Sequence, residues 1–288
     1  MNIVYFGSDV FLSCFEYFVC HHTVLALYTY HNDEDYFTEY AITRRARALG
    51  IPVHYESITP SEIADYVHAG CELFFSAEYN RIIELPQNLP QFRGVNIHSS
   101  CLPQGRSYYP IECAMERRLP RTGVTLHTLA PKVDSGRILA QRSFPVTAEM
   151  DSVDVYLTCA RNARALLEEL MRDFDRTWAA ARYQGKPLPY WRRPAAEELT
   201  LTHTMSCAQA SALWRRFNSL TQVELEGAWY YVTSLMTGTA ALSVSETTLV
   251  PETTLVPEQR IAPDRWLYRL SDGHLRLNTC PISKEEPL

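Results

Sequence analysis

No run in this 288-residue chain approaches the ~18 consecutive apolar residues that a bilayer-spanning helix needs, which argues against a membrane protein. The opening MNIVYFGSDVF has neither a basic n-region nor a long apolar stretch ending at a small-residue cleavage site. No signal peptide is therefore expected, and the expected location is the cytoplasm. Eight cysteines occur, at 14, 20, 71, 101, 113, 159, 207 and 280, without a C-x-x-C pair or histidines at zinc spacing. They read as scattered reduced thiols, and no metal site is expected. A positive balance is also missing: the net charge of -6 disfavours wholesale binding to nucleic acid or to an anionic membrane surface. Walker, G-x-G-x-x-G and G-x-S-x-G patterns are absent as well. The common phosphate cradle, the dinucleotide fingerprint and the serine-hydrolase elbow are thus unsupported.

What the chain does have is alternation. Asn2–Phe6 is a short apolar run ending at Gly7-Ser8, and Val10, Phe11, Cys14, Phe15 and Phe18 follow at helical spacing. Val24–Tyr28 predicts a second strand, Ile42–Leu49 a helix, Ile51–Tyr55 a third strand, and Cys71–Phe75 and Gly94–His98 two more. Such a series predicts an α/β fold: a Rossmann-like, mostly parallel sheet flanked by helices. Gly123–Leu129 and Arg137–Arg142, joined by a turn at Asp134-Ser135-Gly136, make that sheet mixed. A long helix is expected from about Ser152 to Ala181. Prolines and a basic pair at 185–194 read as a linker, so the expected domains are 1–190 and 200–288. The second has one helix, Cys207–Phe217, and then strand-like segments, which predict a small β-rich, OB-like domain with a barrel-like sheet. The hexapeptide ETTLVP occurs twice in tandem, at 246–251 and 252–257, and reads as a loop insertion.

Chemistry concentrates in NIHSSCLPQGR, residues 96–106. If Val95 and Ile97 enter a core, Asn96 and His98 leave the strand end on one side, where α/β sheets collect their ligands. Asp134 follows 36 residues after His98. An amide that donates to an oxyanion, an imidazole, and a carboxylate that orients the ring suit acyl transfer to an amine, without a serine or cysteine nucleophile.

NIHSSCLPQGR, taken with TGVTLHTLAPKVDSGRILAQ, resembles the N10-formyltetrahydrofolate-dependent formyltransferases, a family that includes methionyl-tRNA, glycinamide ribonucleotide and sugar N-formyltransferases. The resemblance covers roughly residues 1 to 190. It implies a catalytic trio at Asn96, His98 and Asp134 and N10-formyltetrahydrofolate as formyl donor. It also implies a pteridine lying against Tyr79, Arg81, Ile82, Ile83 and Leu85 and against Lys132, Val133 and Asp134. The acceptor side falls on Ser99, Arg106, Tyr108 and Tyr109. Two departures bear on that side: Cys101 stands where the family has leucine, and Ser107 where it has glycine.

Plainer readings stand beside these. Asp134 with Gly136 makes a turn, the two tyrosines can simply pack, and Arg106 can be a surface charge. The acidic HNDED run at 31–35 would repel the phosphates of tRNA, and WRRP at 191–194 resembles a segment of amino-sugar formylating members, so a nucleotide-linked amino sugar is the favoured acceptor. N-hydroxyornithine and then methionyl-tRNA follow, the latter because SCAQASALWRRFNSL resembles the C-terminal domain of the tRNA enzyme. A formyl-folate hydrolase or a folate-binding protein is the non-transferase alternative. The expected partner is a small-molecule amine, neither membrane nor nucleic acid, and the sequence leaves room for a homodimer.

Overall fold

A computed structural model describes residues 1–31, 40–106, 108–186, 188–238 and 258–282. Most of the HNDED run, Ser107 and the ETTLVP duplication lie outside the described residues. The chain divides into two units, residues 1–149 with 154–193, and residues 150–153 with 194–288. Among the described residues no helix is long and apolar enough to cross a membrane.

In the first unit the elements are β1 (Asn2–Gly7), α1 (Leu12–His21), β2 (Thr23–Tyr28), α2 (Ala41–Ala48), β3 (Val53–His54), α3 (Pro60–His68), β4 (Leu73–Ala77) and β5 (Gly94–His98). There follow α4 (Pro110–Glu116), β6 (Arg121–Thr128), β7 (Ile138–Pro145), α5 (Ser152–Arg172) and α6 (Phe174–Ala179). The seven strands run in the order β3-β2-β1-β4-β5-β6-β7. Pairing is parallel from β3 through β5 and antiparallel for β5–β6 and β6–β7, so the sheet is mixed as the sequence predicts.

Strand periodicity explains why both faces are covered. Ile3 and Tyr5 of β1 join Phe11, Phe15 and Phe18 and, from α5, Leu166, Leu167 and Leu170 in one core. Val4 and Phe6 face the other way, with Tyr28, Ile63 and Phe74. Aromatic edges lock the first core: the Phe18 and Phe75 rings are 4.8 Å apart, and those of Tyr5 and Phe15 5.2 Å apart.

Two expectations need correction. The third strand is only two residues long, because Pro52 can accept a bond from Leu27 but has no N–H to extend the ladder. The long helix is two helices, broken where Asp173 leaves helical geometry at φ -150°, ψ 67°.

The second unit contains α7 (Ala196–Leu199), β8 (Thr200–Leu201), α8 (Cys207–Phe217), β9 (Gln222–Leu225), β10 (Ala228–Gly238), β11 (Glu258–Ala262), β12 (Arg265–Arg269) and β13 (His274–Pro281). Its sheet has the order β11-β12-β13-β10-β9-β8, antiparallel except for β8–β9. Helix α8 starts on a reciprocal Ser206–Gln209 cap and buries Leu213 and Phe217 with Trp266, Leu275 and Leu277. The segment Val223–Val232 is thus a hairpin, turning at Glu226-Gly227, both with positive φ.

Candidate active site

Strand β5 behaves as its alternation requires. Val95 and Ile97 are buried in the core, and Asn96 and His98 project together at the strand's carboxyl end. The antiparallel register sets His127 of β6 opposite Asn96 and Thr125 opposite His98. His127 then bridges: its Nδ1–H donates to the Thr128 carbonyl at 2.9 Å, and its Nε2 lies 3.2 Å from the Asn96 amide nitrogen, which donates to it. A carbonyl oxygen only accepts, which fixes the ring's tautomer on that side. By the same reasoning His98 donates from Nε2 to the Gly105 carbonyl at 2.6 Å, leaving Nδ1 toward Asp134.

Asp134 closes the group. Its Oδ2 is 3.6 Å from His98 Nδ1 and its Oδ1 is 3.5 Å from His127 Nε2, all three side chains being more than nine-tenths buried. The sequence paired Asp134 with one histidine; the structure sets it between two. The carboxylate reaches them because Asp134 takes the left-handed backbone, φ 50°, and because Gly136 lets the loop pass close to β6. A Cβ on Gly136 would collide with the Thr128 carbonyl.

Electrostatics divide these groups. Burial lowers the His98 pKa against the opposing pull of Asp134, so the ring is neutral at pH 7. It can therefore hydrogen-bond an oxyanion through Nδ1 only with a proton supplied there. Two acids that the sequence reading passed over lie close by. Burial, reinforced by the Asp134 charge, pushes Glu78, immediately after β4, up to about 7. Burial pushes Glu112 of α4 up to about 7, with Glu78 adding to the rise and a Tyr156 hydrogen bond opposing it.

A stability consequence follows for Glu112, which is 2% exposed. Folded, it keeps its proton to about pH 7; the ordinary value for a carboxyl of this type is 4.5. Stability from this group is therefore full below pH 4.5 and is lost as pH rises through 7. Glu112→Gln is expected to raise Tm at pH 8 by roughly 5 °C, equivalent to about 1–2 kcal/mol, with little change at pH 4.5. Thermal melts at the two pH values check this; equal midpoints at pH 8 would contradict it.

The surrounding loops are tied by hydrogen bonds that cross long stretches of sequence. Thr125 donates to the Ser100 carbonyl at 2.6 Å, and Gln141 donates to Thr125 Oγ1 and to the Leu102 carbonyl. Arg106 is buried, and its guanidinium donates to Gln184 Oε1 at 3.0 and 2.6 Å. Gln184 in turn donates to the carbonyls of Asp134 and Gly136 at 2.8 and 2.7 Å. Arg106 thus holds the Asp134 loop in place through Gln184, a residue that no local pattern marks. The stretch read as a linker does similar work: Trp191 donates its N–H to the Arg106 carbonyl and Tyr190 its hydroxyl to that of Val133.

The other expected site residues are more dispersed. Tyr79 packs edge-on against Phe6, with ring centroids 5.4 Å apart, and Arg81 donates to the Tyr55 carbonyl at 2.5 Å. Ile83 packs against the core and Leu85 is half-buried, whereas Ile82 is 62% exposed. Lys132 and Val133 are exposed on the Asp134 loop, and Ser99 is buried. Tyr108 is 59% exposed; Tyr109, at φ 52°, has Arg193 over its ring at 5.8 Å.

An amide, two imidazoles and a buried carboxyl thus gather at the carboxyl end of a doubly covered sheet in a Rossmann-like fold, the place where such sheets collect ligands. Residues 39–170 match the family model described as formyl transferase. Methionyl-tRNA formyltransferase of Listeria innocua is 30% identical over 138 residues, 46% of this chain and 44% of that protein, so the chain matches less than half the length of this relative. Among solved structures, HypX from Aquifex aeolicus in complex with tetrahydrofolic acid superposes with a TM-score of 0.66 at 15% identity, over 99% of this chain and 45% of that one. The N-formyltransferase from Helicobacter canadensis in complex with folinic acid and dTDP-3-aminofucose gives 0.59 at 16%, over 97% and 99%. At such identities these likenesses concern the fold.

Proposed function

We propose that this protein transfers a formyl group from N10-formyltetrahydrofolate to a primary amine. The observation that carries the reading is the convergence of Asn96, His98, His127 and Asp134 in a unit whose residues 39–170 match the formyl transferase family model. The residues present fit the donor: exposed Ile82 and Val133 offer apolar side chains, on the two segments where the resemblance puts the pteridine. When bound, the folate supplies the electrophilic formyl carbon. Asn96 spends one amide hydrogen on His127 and has its second to donate to the formyl oxygen as charge develops there. His127 fixes that amide, and Asp134 moves the proton that the attacking amine gives up.

For the acceptor, a nucleotide-linked amino sugar is the reading we favour. It is supported by the whole-length likeness to the Helicobacter enzyme, whose structure contains dTDP-3-aminofucose, and by the exposed Tyr108 ring next to the 101–106 loop. Methionyl-tRNA is the second reading, supported by the name of the Listeria relative. The test supplies formyl donor with dTDP-3-aminofucose, N-hydroxyornithine or methionyl-tRNA and identifies the formylated product by mass. It also asks whether dTDP, UDP or GDP raises Tm. Formylated sugar with nucleotide protection is expected; no protection by any of the three, together with formylation of another acceptor, would overturn the sugar reading.

A further inference from the structure

The second unit curls until its two sheet edges meet. Its strand order runs from β11 to β8, yet hydrogen bonds join the two ends. The Tyr268 hydroxyl of β12 donates to the Leu201 carbonyl of β8 at 3.4 Å, and His203 Nδ1–H donates to the Arg269 carbonyl at 2.7 Å. At the β9–β10 turn the Glu226 N–H donates to Glu258 Oε1 of β11 at 2.5 Å. Where these edges meet lies a cavity of about 360 Å³, to which β8, β9, β10, β11 and β12 all contribute side chains. The mouth of a closed sheet is a recurrent place for a small-molecule site, and the volume is of the size such sites have.

The lining is both acidic and aromatic. Glu224, Glu226 and Glu258 contribute three carboxylates, and among the described residues of the wall there is neither lysine nor arginine. The registers set Trp229 directly opposite Glu224 and Tyr268 directly opposite Glu258, so each aromatic ring has a carboxylate on its own face of the sheet. Trp229 is 44% exposed. His203 covers Tyr268, their rings stacked with centroids 4.1 Å apart, and its Nε2 lies 3.8 Å from Glu258 Oε2. Glu258 is thus taken up by the fold, whereas Glu224 and Glu226 are exposed. Phosphates and nucleic acid are repelled by such a wall. A bare metal ion is disfavoured for a different reason: among the described residues no group of three His, Cys, Asp or Glu side chains is placed to hold one. Acids spread around an indole suit a wider cation, which the indole face also attracts.

We propose that this recess binds a small organic cation, a guanidinium or alkylammonium group, with its charge facing Glu224 and Glu226 and its apolar part against the Trp229 ring. Carboxylates take the N–H donors of such a group in charge-assisted hydrogen bonds, and the ring face adds a cation–π contact. Glu258 has the supporting role, because it accepts the Glu226 N–H and so holds the turn that carries Glu226. Every lining residue belongs to the second unit, so the inference stands independently of the formyl-transfer reading.

The test uses full-length protein carrying fluorinated tryptophan, titrated by fluorine NMR, with the Trp229 signal assigned through Trp229→Phe. Butylguanidinium and butylammonium are expected to shift that signal saturably, with a dissociation constant on the order of 1 mM for ligands of this size. Sodium chloride at the same ionic strength is expected to leave it in place, and so is butylurea, the neutral counterpart of butylguanidinium. The double variant Glu224→Gln, Glu226→Gln is expected to bind about tenfold more weakly, since each exposed carboxylate contributes modestly. Glu258 is kept because the hairpin depends on it. A glycine-flanked arginine peptide separates the sources: binding as tight as that of butylguanidinium assigns the cation to a protein side chain, and weaker binding assigns it to a small molecule. No saturable shift with either cation, or an equal response to butylurea or sodium chloride, would overturn the proposal whether or not the double variant folds. Undiminished binding in a folded double variant, or tighter binding of magnesium than of either organic cation, would overturn it as well.

Discussion

Asp134→Asn is expected to lower kcat/KM for formyl transfer by about 10³-fold, at the centre of the range for loss of a positioned acid–base group. The substitution isolates chemistry from architecture. Asparagine is among the few residues that adopt the left-handed backbone readily, so the φ of 50° is retained. The loop is held through main-chain oxygens, because Gln184 donates to the carbonyls of residues 134 and 136 and not to the carboxylate. The amide can still donate to one of the two ring nitrogens. What it cannot do is release a proton to a leaving nitrogen or take one from an attacking amine. Tm is therefore expected within a few degrees of the wild type. Steady-state rates and a thermal melt check both halves; activity within threefold of the wild type would show that Asp134 has no part in proton movement.

Gly136→Ala is expected to act the opposite way, through the fold. The new methyl group would fall on the Thr128 carbonyl and within 2.8 Å of Thr128 Oγ1. Both flanking bonds at this hairpin mouth, Thr128 N–H to the Arg137 carbonyl and Arg137 N–H to Thr128 Oγ1, have lengths of 2.9 Å and leave no slack. Separating the two strands by the required distance breaks them and carries Asp134 away from His98 and His127. A cost of about 3–4 kcal/mol is expected, at the upper end for overpacking, or a fall in Tm of roughly 10 °C for a unit of this size. Activity falls with it. A melt superimposable on the wild type would mean that the 134–136 loop is free to move, and that the approach of Asp134 to the two rings is not enforced by the backbone.

These two substitutions also mark what could be read without coordinates. Alternation in Val95-Asn96-Ile97-His98 placed the amide and the ring at one strand end because that pattern is local, and so did the aromatic runs of β1 and β4. Asp134 came from its motif rather than from any periodicity. His127 lay within a quoted motif, TGVTLHT, yet nothing local distinguishes it from a core strand residue; its importance comes from lying across the ladder from Asn96, which only the register of β5 on β6 fixes. Gln184 was less legible still, since the bonds that make it matter connect it to residues 48, 50 and 78 positions away. The 185–194 stretch read as a linker on its prolines, but Tyr190 and Trp191 carry donors that find loop carbonyls. Glu78 and Glu112 went unnoticed for a related reason: an acid is ordinary in sequence and becomes unusual only when burial removes its water.

The most direct measurement follows the formyl group itself. Protein is mixed with N10-formyltetrahydrofolate carrying carbon-14 in the formyl carbon, with and without dTDP-3-aminofucose, N-hydroxyornithine and methionyl-tRNA, and the label is counted in formate and in amide product. The account predicts label in amide, one equivalent for each tetrahydrofolate formed, with formate negligible and Asp134→Asn inactive. Label released as formate at the same rate whether or not an amine is present would make the site a hydrolase and contradict the account.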